Sequence, residues 1–165
     1  MNSECLFKEE QKFTQWWVWL LLLFVMGLFI YGLLQQLILK VPFGNNPASD
    51  AGLVFFNLLV LSVCVFFWSL KLKTTITQKK LIIRYFPLFN KHILWENVQK
   101  AEIVKYGFIG GYGIRISMKY GTVYNVKGNK GLAITLKNGK KYLIGTQREN
   151  ELGEIIRSIN KVSVT

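Results

Sequence analysis

Two unbroken apolar runs fill most of the first 70 residues, and short stretches alternating between apolar and polar residues occupy the rest. The first run, Trp16 to Leu34, contains no charged residue and can be extended to Leu39 through Gln35 and Gln36. At about 1.5 Å of rise per residue, roughly 19 to 24 helical residues reach about 28 to 36 Å, which matches a hydrocarbon core of about 30 Å. The second run, Ala51 to Leu70, is interrupted only by Asn57, Ser62 and Ser69. Neither run carries the polar face of a soluble amphipathic helix. A signal peptide has a shorter apolar core and no second span behind it. The pattern predicts a two-helix transmembrane hairpin over 16–70, with spans at about 16–39 and 51–70 and a turn at Val41 to Pro47. A polar N-terminal tail over 1–15 and a separate domain over 71–165 complete the expected organisation.

From Leu72 the period changes to short β-branched or alternating segments about ten residues apart, as in all-β sandwiches and barrels. In Gly113 to Tyr120, Ile114, Ile116, Met118 and Tyr120 share one face and Arg115, Ser117 and Lys119 the other, so the apolar face is expected inside. Leu132, Ile134 and Leu136 repeat the alternation before Asn138-Gly139, a tight hairpin turn with positive backbone angles, and Lys141 to Ile144 returns. Leu72–Thr77, Leu81–Phe86, Lys91–Trp95, Val98–Lys105 and Thr122–Val126 bring the expected set to about seven strands. Thr146 and Glu149 have capping-box spacing. Leu152, Ile155, Ile156 and Ile159 then form the apolar stripe of a helix over about 147–160, which makes the domain α+β.

Charge sharpens the division. Residues 1–70 carry 3 Lys+Arg against 4 Asp+Glu and residues 71–165 carry 18 against 5, together the 21 and 9 of the whole chain and its net charge of +12. Basic flanks are retained in the cytoplasm, and Lys71, Lys73, Lys79, Lys80 and Arg84 follow the second span closely, so both termini are expected there. Trp16, Trp17 and Trp19 open the first span and Trp68 closes the second, which a hairpin gathers at one interface. The same five basic residues are the candidate contacts to anionic lipid, at about 1 kcal/mol for each one near the surface. Solubility and topology alone account for most other lysines.

Chemistry of other kinds finds few carriers. No Asp, Glu, Lys, Arg or His lies within either run to relay protons, and Asn57 reads as a hydrogen bond across a helix interface beside the small residues Gly27 and Gly32. His92 is the only histidine and reads as a half-buried structural residue near Trp95. The acids show no paired-carboxylate spacing, and Glu149, Glu151 and Glu154 lie where they complement a helix dipole. Cys5 and Cys64 suit neither zinc nor a disulfide framework. The expectation is no catalytic residue, no metal and no cofactor, with nucleic acid disfavoured as a partner because no reading motif accompanies the charge. The glycines between Gly107 and Gly113 lack the Lys-Ser/Thr of a phosphate loop and read as a turn. Phe108, Ile109 and Tyr112 among them close one end of the barrel if buried, the commoner use of such residues, and are a candidate interaction loop for lipid or a partner if exposed.

The hairpin followed by Lys73-Thr-Thr-Ile-Thr77, Leu81-Ile-Ile-Arg84-Tyr85, Ile93-Leu-Trp95-Glu96-Asn-Val98, Gly113-Ile-Arg115, Gly131-Leu-Ala-Ile-Thr-Leu136 and Tyr142-Leu-Ile-Gly145-Thr146 resembles the bacterial membrane-anchored pleckstrin-homology-like domain proteins over about residues 71–160. The resemblance implies a seven-stranded, partly open β-barrel capped by the C-terminal helix. It further implies a scaffold that binds lipids, peptides or proteins and is generally not an enzyme. With the two spans and the charge split, the expectation is a nonenzymatic multi-pass bacterial inner-membrane protein for anionic-lipid contact and protein interaction or assembly, with a protein partner or as a homo-oligomer. Phosphoinositide-binding members carry a basic residue in the first strand and a basic-x-basic pair in the second. Lys73 fits the first role, but Lys80 and Arg84 are separated by Leu81, Ile82 and Ile83, which leaves nonspecific electrostatics as the expected mode of lipid contact. The alternative is a structural subunit of a larger transporter or envelope complex, with both spans in a shared bundle.

Overall fold

The structure, a computed structural model, describes residues 4–107 and 111–162, with side chains described through residue 159. It divides into two compact units, one formed by residues 1–12 together with 70–165 and the other by residues 13–69.

The smaller unit is a helical hairpin. Helix α1 (Trp16–Leu33) runs into a π-helical turn at Leu34–Ile38, and α2 (Asp50–Ser69) returns. Trp16–Ile38 and Asp50–Ser69 are each long and apolar enough to cross a membrane, and only 6% of either apolar window is covered. Where the first helix stops, Lys40 adopts a left-handed conformation with φ 57°, and the Val41 N–H reaches back to the Gln35 carbonyl at 3.1 Å. Gln36 fastens the connector by donating to the Ala48 carbonyl at 2.8 Å and to Asp50 Oδ1 at 2.7 Å. Asn57 Nδ2 donates to the Phe29 carbonyl of α1 at 3.1 Å and to its own helix at Leu53. Of the two small residues expected beside it, Gly32 has the Phe43 ring where a Cβ would sit, whereas Gly27 has open space there.

The larger unit is α+β, and its described residues form nine strands in two sheets. One sheet has the order β1-β2-β3-β4, from β1 (Cys5–Lys12), β2 (Lys71–Thr77), β3 (Lys80–Phe86) and β4 (Phe89–Leu94), all antiparallel. The other has the order β5-β8-β9-β7-β6, from β5 (Val98–Lys105), β6 (Gly113–Ser117), β7 (Gly121–Asn125), β8 (Lys130–Leu136) and β9 (Lys141–Gly145), with β7 parallel to β9. Two corrections to the sequence reading follow. The described residues form nine strands in two sheets, not seven in one barrel, and residues 5–12 are an edge strand of the first sheet, not a tail.

Strand β1 is held at both faces of its backbone. Its ladder to β2 runs from Cys5↔Thr77 to Lys12↔Lys71. Its inward side chains are Phe7, Glu9 and Gln11, all buried. Glu9, only 6% exposed, accepts hydrogen bonds from Thr146 Oγ1 at 2.6 Å, the Gln147 N–H at 2.7 Å and Gln11 Nε2 at 3.1 Å. Gln11 Nε2 also donates to the Gly145 carbonyl at 2.7 Å. A carboxylate this buried is tolerable because its lone pairs are filled. Helix α3 (Glu149–Val162) starts just beyond this knot and packs on β5 and β1, the edge strands of the two sheets. Its apolar stripe buries Leu152, Ile156 and Ile159 as the spacing predicts. The capping box forms only in part, since Thr146 Oγ1 accepts the Arg148 N–H but Glu149 pairs with Lys130.

Between the sheets stands a column of rings. Tyr85 stacks on Phe89 at 5.9 Å, Phe89 meets Tyr124 at 5.0 Å and Tyr124 stacks on Tyr142 at 6.4 Å, so β3 and β4 are joined through side chains to β7 and β9. The predicted Asn138-Gly139 hairpin is present, with Gly139 at φ 80° and its N–H on the Leu136 carbonyl at 2.9 Å. Strand β6 departs from expectation. It ends at Ser117 on the outer edge of its sheet, and the face of Ile114, Ile116 and Met118, expected inside, is exposed because no element covers the sheet there among the described residues.

Two predictions concern this unit. Glu9→Ala leaves the Thr146 hydroxyl and the Gln147 N–H without their acceptor and is expected to cost about 3 kcal/mol; thermal unfolding of the full chain in detergent reads this as a lower midpoint. Burial pushes the Tyr85 phenol up to about 12 and raises that of Tyr124 as well. Because the folded value lies above the unfolded one, this stability is complete below about pH 10 and is lost as pH climbs toward the folded value. For Tyr85 the loss amounts to about 2 to 3 kcal/mol. Tyr85→Phe is expected to flatten that alkaline slope in denaturation measured across pH.

Candidate lipid-contact surface

Alternation along four antiparallel strands sorts the first sheet into an apolar inner face and a charged outer one. Leu72, Ile76, Leu81, Ile83 and Tyr85 point inward and are buried. Outward, β1 presents Lys8, Glu10 and Lys12, β2 presents Lys71 and Lys73, and β3 presents Lys80 and Arg84. The register sets Glu10 beside Lys73, Lys73 beside Arg84, and Lys12 beside Lys71. Six basic residues therefore share a face with one acid, and that acid is engaged: Glu10 receives Lys73 Nζ at 2.8 Å and Lys71 Nζ at 3.8 Å. The hydrogen bond from Lys73 holds the Glu10 carboxyl below its ordinary range against a smaller opposing effect of burial, with the Lys71 and Lys12 charges adding to the lowering.

Four of the five candidate lipid contacts, Lys71, Lys73, Lys80 and Arg84, thus fall on one surface, and Lys79 is exposed in the turn that joins β2 to β3. The sequence reading missed Lys8, Lys12 and Glu10, whose signal was a charge at every second position of β1. Exposed apolar side chains adjoin the basic face where β3 turns into β4. Phe86, the register partner of Lys71, is 50% exposed, and Leu88 is 52% exposed. His92 lies on the same outer face opposite Ile82 and is exposed, not half-buried.

The other candidates scatter. Phe108 and Ile109 lie outside the described residues, while Tyr112 is exposed just before β6. Among the described residues no three His, Cys, Asp or Glu side chains gather as a metal site. A cleft of about 610 Å³ separates β5 from α3, floored by Ala101, Ile103 and Ile156 and rimmed by Glu102, Glu154 and Arg157. Its mixed rim suits a polypeptide better than an anion. No family model matches the chain, and no curated protein is significantly similar to it.

Geometry on the outer face makes one direct prediction. Lys73→Ala removes the hydrogen bond to Glu10, and the Glu10 carboxyl is expected to titrate closer to the ordinary range, which the side-chain carboxyl carbon shift across acid pH reads.

Proposed function

We propose that the chain is a nonenzymatic, membrane-anchored module. Its hairpin crosses the bilayer, its larger unit stands at the cytoplasmic face of a bacterial inner membrane, and the outer face of the first sheet contacts anionic headgroups while the unit serves protein interaction or assembly. The observation that carries the reading is the six-to-one excess of basic side chains on a sheet whose first two strands run directly into the two apolar helices. Strand β1 ends at Lys12 and α1 begins at Trp16, while α2 ends at Ser69 and β2 begins at Lys71. Basic residues so close in sequence to a span act on the leaflet where it emerges. Lys12 and Lys71 are register partners, so the two ends of the hairpin leave the sheet side by side, which favours both ends on one side of the bilayer. The excess of 18 basic residues over 5 acidic ones after residue 70 favours the cytoplasmic side.

We also infer that the larger unit is pleckstrin-homology-like. Two sheets with a C-terminal helix packed on an edge strand of each support this reading, whereas the parallel β7–β9 pair and the strand ahead of the hairpin are departures from that pattern. A second reading, a structural subunit of a larger transporter or envelope complex, is favoured by the cleft between β5 and α3, where an edge strand and a helix together offer a partner segment a seat. Stoichiometric membrane partners copurifying in mild detergent would support it.

The lipid reading is tested on the full chain reconstituted in vesicles, with Cys5 and Cys64 changed to Ser and a fluorophore at Thr75→Cys on the outer face. Energy transfer to headgroup-labelled phosphatidylglycerol is expected to exceed transfer to labelled phosphatidylcholine. Lys73→Glu with Arg84→Glu, or added salt, is expected to erase the difference, since exposed charges are screened within about 8 Å at physiological ionic strength. Equal transfer to both lipids at low salt would reject the basic face as a lipid contact.

A further inference from the structure

The outer edge of the second sheet carries an apolar face that no element covers among the described residues. Ile114 pairs in register with Tyr124, and Ile116 pairs with Thr122, so they lie on the face that buries Tyr124 in the ring column. That face continues past the ring column and is bare: Ile116 keeps 91% of its reference exposure, and Met118, in the turn that follows, keeps 105%. Aliphatic side chains standing free at the tip of a hairpin are uncommon on a soluble surface and mark a contact.

The surroundings of the tip say what kind of contact. Gly121, at the start of β7, lies against the Lys141 backbone so closely that a Cβ there would meet its carbonyl oxygen at 2.2 Å. The start of β9 is bonded to the end of β8, with the Leu136 N–H on the Lys140 carbonyl, and Lys137 in turn donates its N–H to the Asn97 carbonyl. Lys119, Lys137, Lys140 and Lys141, all exposed, therefore fall at this end of the sheet. Apolar points beside a group of lysines complement an anionic bilayer, whose headgroups take the cations while its interfacial zone takes the side chains. Two such tips facing each other would instead bring like charges together.

We propose that the β6–β7 tip is a membrane wedge, with Ile116 and Met118 entering the interfacial zone of an anionic bilayer and the four lysines on its headgroups. This is a second contact, separate from the outer face of the first sheet, and it rests on the reading that the hairpin anchors the chain.

The test uses the full chain without native cysteines in vesicles of phosphatidylglycerol and phosphatidylcholine, with an environment-sensitive fluorophore at Met118→Cys or, separately, at Leu58→Cys in α2. The Met118 probe is expected to shift to the blue and to be quenched by lipid nitroxides placed near the headgroup. Both effects should disappear in pure phosphatidylcholine and fall several-fold in Lys119→Glu with Lys141→Glu. A Met118 probe that reports water while the Leu58 probe is quenched by deep nitroxides would overturn the wedge and leave the anchor standing. A Leu58 probe that reports water would overturn both. A blue-shifted Met118 probe that no lipid nitroxide quenches, and that depends on the ratio of protein to lipid, would assign the tip to a second copy and overturn the wedge.

Discussion

The larger unit is organised by the pairing of β1 with β2 across the whole helical hairpin. Lys12 and Lys71 are neighbours in that ladder although residues 13–70 lie between them. The strand that precedes the first apolar helix is thus an edge of the sheet that begins after the second. The hydrogen bonds of Glu9 extend the constraint, because they join residues 137 and 138 positions apart and tie β1 to the junction of β9 with α3. Residues 71–165 alone lack one edge of a sheet, the partners of Thr146 and Gln147, and part of the surface on which α3 packs. The hairpin is an insertion into a β-meander, and the two units share two chain crossings.

This arrangement bears on charge as well as on folding. By adding Lys8 and Lys12 to Lys71, Lys73, Lys80 and Arg84, β1 completes a basic surface, and its Glu10 neutralises part of the charge at the centre. In the proposed account the unit is tethered to the leaflet, because strands β1 and β2 continue into the spans within a few residues. Little further freedom is lost when it binds, so weak contacts of about 1 kcal/mol each suffice to orient the unit.

Elements governed by unbroken hydropathy or by strict alternation of apolar residues were legible in the sequence. The two long helices, β2, β3, β5, the β8–β9 hairpin and the stripe of α3 fall within a few residues of expectation. Strand β1 was not legible, because its inward positions alternate Phe7, Glu9 and Gln11, and two of those three are polar residues buried by hydrogen bonds formed far along the chain. Strand β6 shows the reverse failure. Its alternation is real, but a period identifies the two faces of a strand without saying which one the fold covers, and an edge position left the apolar face open. The capping box failed locally, since Lys130 offered Glu149 a full charge in place of a backbone amide. Within the candidate site, the lysines after the second span were legible from charge alone, whereas their grouping with Lys8, Lys12 and Glu10 required the register.

The central claim is that β1 and β2 sit together in one sheet on one side of a bilayer that the intervening hairpin crosses. Single cysteines at Lys8, Asn45 and His92, each in a chain without native cysteines, can be challenged with a membrane-impermeant maleimide in sealed vesicles of known orientation. The account predicts that Lys8→Cys and His92→Cys are labelled from the same side and Asn45→Cys only from the other. Labelling of Lys8→Cys and His92→Cys from opposite sides, or of all three from one side, would contradict it.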